Sequence, residues 1–149
     1  AIKYSVSREM YARLTALAGD RLLVSTASED EWFDNMVELG WQLYLCSSPP
    51  YLLQTAADRR MREYTDLALA GEIERGRAVR DSLEPVRQAL KSTRPGGKPQ
   101  AQQKYWQELL GQAGGPVRPP LLPLTEAEKA AIRAAFDGCG LRLADRATE

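Results

Sequence analysis

The sequence predicts an α/β fold, with a parallel sheet in roughly the first third of the chain and helices in the rest. Three observations point there. Continuous apolar runs at residues 21–26 and 41–46 read as strands buried on both faces. Residues 7–18 and 32–39 carry their apolar side chains at helical spacing. Helix and strand therefore alternate in units of about twenty residues, the pattern of βα repeats on a parallel sheet.

In chain order, Ala1 and Ile2 read either as the end of a first strand with Lys3 at its carboxyl end or as a frayed terminus with a solvated lysine. A lysine held in a pocket there can lose its proton near neutral pH and attack a carbonyl to form a Schiff base. The first helix buries Met10, Tyr11, Leu14 and Leu17, with Ser7 as N-cap and Gly19 as stop. The run Arg21-Leu22-Leu23-Val24-Ser25-Thr26 is the second strand. Ser28 and Glu31 form a capping box for the second helix, where Trp32, Phe33, Met36, Val37 and Leu39 keep helical spacing up to Gly40. Trp41-Gln42-Leu43-Tyr44-Leu45-Cys46 is the third strand and runs into Ser47 and Ser48. Parallel strands point one way, so Lys3, Ser25-Thr26 and Cys46-Ser47-Ser48 converge on the carboxyl-end rim, where α/β sheets and barrels put their active sites.

After Pro49-Pro50 the pattern is helical. One helix is expected over 51–70, and Asp58 and Glu63 dilute its basic patch of Arg59, Arg60 and Arg62 into a solvated face. A second, over 72–91, carries Val79, Leu83, Val86 and Leu90 as an antiparallel packing seam and kinks at Pro85. Residues 92–99 form a loop, and a short helix over 101–110 follows with Tyr105, Trp106, Leu109 and Leu110. Residues 114–124 are extended and locked by proline. A capping box at Thr125 and Glu128 opens the last helix, with Ala131, Ile132, Ala135 and Phe136 facing in.

Composition narrows the chemistry. The chain has 149 residues, enough for one domain with a real core, and 44% are hydrophobic. Twenty basic and twenty acidic side chains cancel, so no net positive field draws nucleic acid or an anionic membrane. No apolar run is long enough to span a membrane. No leader precedes Ala1, and Cys46 and Cys139 read as free thiols of a reducing compartment, so a cytoplasmic location is expected. The chain has 0 histidines, which removes Ser-His and Cys-His nucleophile pairs and the commonest metal ligand. Chemistry is left to lysine, carboxylates and hydroxyls, and neither metal nor cofactor is expected.

The order of parts resembles the dihydrodipicolinate synthase/N-acetylneuraminate lyase family. Ile2-Lys3 and Val24-Ser25 look like its strand ends, and Gly115-Pro116-Val117-Arg118-Pro119-Pro120-Leu121-Leu122-Pro123-Leu124-Thr125 is the most specific likeness. That family ends in a glycine, an arginine soon after, Pro-Leu-x-Pro-Leu and a helix closing in Gly-Leu, here Gly140-Leu141. Lys104 before Tyr105-Trp106 resembles its penultimate helix. The likeness covers nearly the whole chain but only the carboxyl-terminal half of a family member.

The resemblance implies a (β/α)8 TIM barrel, represented here from the end of strand six to helix eight, followed by three carboxyl-terminal helices. Residues 1–71 would be partial barrel and 72–149 the helical region of the same domain. Lys3 falls on the Schiff-base lysine. Ser25 and Thr26 fall on the seventh strand end beside the keto acid, Ser28 and Glu29 where sugar-acid lyases bind distal hydroxyls, and Leu45 on the eighth strand end. The implied activity is that of a class I lyase, an aldolase or dehydratase acting on pyruvate or a related 2-oxo or deoxy sugar acid. The implied assembly is a homo-oligomer, a tetramer by analogy.

Two departures bear on substrate. Thr26 replaces a glycine, and Tyr44 to Pro50 lacks the usual small residues and asparagine. They favour the alternative reading, a non-catalytic relative serving as a scaffold or small-molecule-binding subunit. Three strands cannot close a barrel of about 250 residues. The sequence is therefore expected to be inactive alone, a fragment or one of two chains, with the amino-terminal barrel half supplied by the same or a second chain.

Overall fold

The computed structural model describes residues 1–46 and 50–143. The fold is α/β and mostly helical, with one two-stranded sheet among the described residues. The chain divides into two compact units, residues 1–49 with 61–81 and residues 50–60 with 82–149.

In the first unit, β1 (Ile2–Lys3) and β2 (Val24–Ser25) lie parallel in the register Ile2↔Val24 and Lys3↔Ser25. The Ile2 N–H donates to the Leu23 carbonyl at 2.8 Å and the Tyr4 N–H to the Ser25 carbonyl at 2.7 Å. Helix α1 (Arg8–Ala18) makes the crossover that two parallel neighbours require. Ser7 is its N-cap, although its side chain makes no cap hydrogen bond. The expected apolar stripe of α1 is only partly buried: Tyr11 is fully enclosed, whereas Met10 and Leu17 are 51% and 67% exposed. The enclosed ring packs against Trp41 with centroids 4.9 Å apart, and the Tyr11 hydroxyl donates to Asn35 Oδ1 at 3.2 Å.

Helix α2 (Trp32–Leu39) buries Trp32, Phe33, Asn35 and Met36. Its expected capping box does not form. Glu31 is the N-cap without a side-chain bond, and the Trp32 N–H is satisfied by the Glu29 carbonyl at 3.0 Å, in a backbone turn. Gly40 ends the helix at φ +65°, a left-handed position that suits glycine. The strand expected at 41–46 joins no ladder among the described residues. Side-chain bonds hold it instead, among them the Leu45 N–H donating to Ser25 Oγ at 3.1 Å and Trp41 Nε1 to Thr15 Oγ1 at 3.0 Å. Met61 and Tyr64 of α3 (Arg60–Leu69) and Gly76 of α4 (Ile73–Ser82) complete this unit's buried set.

The single helix expected over 51–70 is two elements, a 3-10 turn at Pro50–Leu52 and α3. Thr55 and Asp58 break it. Thr55 Oγ1 accepts the N–H groups of Ala57 and Asp58 at 3.1 and 3.0 Å, offering the backbone a local alternative to helix. The kinked helix expected over 72–91 is likewise two, α4 and α5 (Glu84–Ser92), with Pro85 in the first turn of α5, where a missing N–H costs nothing.

In the second unit α5, α6 (Pro99–Leu109) and α7 (Glu126–Gly138) enclose a core of Leu83, Val86, Leu90, Trp106, Ile132 and Phe136. Trp106 meets Phe136 edge-on at 4.9 Å and donates from Nε1 to the Leu52 carbonyl at 3.0 Å. The capping box of α7 is complete: Thr125 Oγ1 accepts the Glu128 N–H at 3.2 Å, and Glu128 Oε2 accepts the Thr125 N–H at 2.7 Å. Residues 114–124, expected to be extended, lie outside helix and strand and include a turn closed by the Leu121 N–H on the Arg118 carbonyl at 3.0 Å. No helix among the described residues is long and apolar enough to cross a membrane.

Candidate functional site

The two strand ends and the segment beside them build a rim. Lys3 closes β1 with its side chain exposed, and its register partner is Ser25, one strand away. Register partners in a parallel pair present their side chains on one face. Ser25 is fully buried and Thr26 nearly so. Because Ser25 Oγ accepts the Leu45 N–H, Leu45 is brought to β2 through its backbone, with its side chain exposed.

Ser28 contributes its carbonyl, which accepts a hydrogen bond from Cys46 Sγ at 3.2 Å. Glu29 is buried, and Tyr64 donates from its hydroxyl to Glu29 Oε1 at 3.0 Å. Burial pushes the Cys46 thiol up to about 12, while a hydrogen bond with Tyr44 and the charge of Lys3 pull it the other way. Lys3 therefore lies within electrostatic reach of Cys46. Burial also drives the Tyr44 phenol well above its ordinary value, with Cys46 and Glu29 adding to the shift. The Tyr44 ring stands edge-on to Trp32 at 5.3 Å.

Lys3, Ser25, Leu45, Ser28 and Cys46 are thus linked by register, hydrogen bond or charge, and Thr26 and Glu29 adjoin them in the chain. Ser47 and Ser48, expected on the same rim, and Pro49 of the Pro49-Pro50 departure lie outside the described residues. Tyr64, whose hydroxyl reaches Glu29, was missed by sequence reasoning. The signal for Tyr64 was its spacing from Met61, three residues before it and also buried, on what read as a solvated helix.

Among the described residues no three Cys, Asp or Glu side chains gather as a metal site would require. A cleft of about 250 Å³ opens in the second unit, lined in part by Tyr105, Glu108, Val117, Leu124 and Lys129. None of the expected site residues lines it, and Glu108 and Lys129 are already engaged by the Gly115 N–H and by Glu126.

No family model matches the chain, and no solved structure matches it. It is similar to a curated protein, the 4-hydroxy-tetrahydrodipicolinate synthase of Halorhodospira halophila (strain DSM 244 / SL1), at 36% identity over 83 residues. That match covers 56% of this chain and 26% of the relative, so the chain spans about a quarter of the length of the curated protein it matches.

Proposed function

We propose that the chain is part of a Schiff-base-forming lyase acting on pyruvate or a related 2-oxo acid, with Lys3 as its nucleophile. In this reading the two parallel strands belong to a (β/α)8 barrel whose other strands come from outside these 149 residues. The Lys3 amine adds to the ketone carbon, forming a carbon–nitrogen bond, and the ketone oxygen leaves as water. The protonated imine then accepts the electron pair released by carbon–carbon cleavage, or stabilises the carbanion needed for condensation or dehydration. Ser25, Thr26 and Leu45 border the keto acid, and Ser28 and Glu29 face its distal end. The scheme draws on no metal and no cofactor.

The observation that carries this reading is the register of Lys3 with Ser25 at the carboxyl ends of two parallel strands, in a chain similar to a synthase of this type. The open sheet supports the shared barrel. Ile2 and Tyr4 spend their N–H groups on β2, so those of Lys3 point to the opposite edge, where a parallel sheet needs another strand.

Incubation of the complete protein with pyruvate and borohydride tests the proposal. One reduced pyruvate unit is expected on the peptide carrying Lys3, and none in Lys3→Arg. Absence of an adduct with pyruvate and with hydroxylated 2-oxo acids sinks the lyase and leaves a scaffold or binding subunit, the reading that Thr26 favours.

A further inference from the structure

We propose that residues 140–143 form a strap, latched within the second unit by Thr55, Asp58 and Arg60, whose release joins two clefts into one groove along α6. The inference is independent of the lyase reading.

The strap leaves α7 through Gly140 at φ +71°, a left-handed position that suits glycine and ends the helical path. Its backbone is then held group by group. Arg60 Nη2 donates to the Gly140 carbonyl at 3.2 Å, the Arg142 N–H to Asp58 Oδ2 at 3.1 Å, and Thr55 Oγ1 to the Arg142 carbonyl at 2.5 Å. The Arg142 guanidinium adds only a looser approach, 3.7 Å from Asp58 Oδ1 with its side chain 66% exposed.

The latch is complete without the strap. Arg60 clamps both Asp58 oxygens, from Nε at 2.8 Å and from Nη2 at 2.7 Å, and donates from Nη1 to the Ser82 carbonyl at 2.6 Å. Thr55 Oγ1 keeps the Ala57 and Asp58 N–H groups that it accepts. Release of the strap therefore leaves no buried charge unpaired, and the backbone groups it frees turn to water. Little apolar burial opposes release, since Leu143 is 46% exposed. A segment held by polar bonds to its backbone opens locally while the core stays folded.

The position of Leu143 gives release a consequence. Leu143 and Leu109 both wall two clefts, of about 240 and about 280 Å³. One reaches Tyr105 and Phe136, the other Ala56 and Leu110. Lifting Leu143 removes a wall common to both and leaves Leu109, buried on α6, as the floor of a single groove. In the latched state the occupant of that groove is the strap itself, an autoinhibitory contact of the chain on itself.

Hydrogen exchange on the complete protein tests the strap, read at the Arg142 amide against the amides of α7. The Arg142 amide is expected to be protected and to exchange at a rate that low urea leaves unchanged, whereas α7 exchange rises with urea. Thr55→Val is expected to speed Arg142 exchange roughly tenfold, the scale of one hydrogen bond, at unchanged α7 protection. Thr55→Ser, which keeps the hydroxyl, is expected to retain the wild-type rate. Leu109→Cys reads the groove: its labelling by N-ethylmaleimide is expected to rise by the same factor when Thr55→Val is added. Wild-type exchange at Arg142 that follows α7 in urea, or that runs at the rate of free peptide, overturns the strap without any substitution. Unchanged Arg142 exchange in Thr55→Val overturns the latch, and unchanged labelling of Leu109→Cys overturns the groove.

Discussion

Lys3 could be proposed from the sequence because the resemblance of the later strand ends and the 115–125 segment places it on a Schiff-base lysine. Asp58 could not, because its burial and its bond from Arg142 exist only in the packed chain. Its carboxylate is fully buried, and the Arg60 guanidinium donates to its Oδ1 at 2.8 Å and to its Oδ2 at 2.7 Å. The Arg142 N–H adds 3.1 Å to Oδ2 from 84 residues away. Burial alone would raise this carboxyl, but the bonds from Arg60 and Arg142 outweigh it and hold it at about 2, below the ordinary 3.8. The unfolded chain therefore takes up the proton first as pH falls. The resulting stabilisation, roughly 2 kcal/mol, is complete above the ordinary carboxylate range and is lost as pH falls toward 2. Asp58→Asn should cost about 3 kcal/mol by urea denaturation at neutral pH, because the Arg60 charge loses its partner. It should also flatten the acid limb between pH 4 and pH 2, and an unchanged limb would refute the assignment.

Helix ends marked by strong chemistry were legible, and those decided by competition were not. Thr125 and Glu128 form their capping box within four residues, and Lys98 Nζ then binds both Glu128 oxygens at 2.9 Å. Thr125→Ala is expected to cost about 1 kcal/mol in thermal or urea unfolding. Ser28 and Glu31 have the same pattern but form no box, since the turn before α2 satisfies the backbone first. Gly76 illustrates a constraint that periodicity does not carry. A Cβ there would stand 2.9 Å from Phe33 Cε2 and 3.3 Å from Leu67 Cβ, so α4 approaches its neighbours through this glycine. Gly76→Ala should destabilise the protein by roughly 1–3 kcal/mol despite alanine's better helix propensity. A rise in melting temperature would contradict this close packing.

At the scale of the whole molecule, the sheet is the part whose partners matter most. Two strands of two residues each form a small parallel sheet with an open edge. Beside it, Met10, Leu17 and Leu23 leave apolar surface half or more exposed. The shared-barrel proposal therefore expects residues 1–149 alone to give no Lys3 adduct with pyruvate and borohydride, and to bind a hydrophobic dye through this surface. Labelling equal to that of a complete barrel would refute it. By itself the sequence determined the α/β class, the parallel direction of the first two strands, the succession of helices after residue 50 and the Thr125 cap. All of these follow from the periodicity, capping chemistry and turn residues of short windows. The tertiary structure alone decided that residues 41–46 are held by side chains and join no ladder among the described residues, that Thr55 and Asp58 split one expected helix, and that Glu29 is held by Tyr64. The first and last of those outcomes turn on hydrogen-bond partners tens of residues apart, which meet only when the chain packs, and the second on a local side-chain bond that outcompetes the helix.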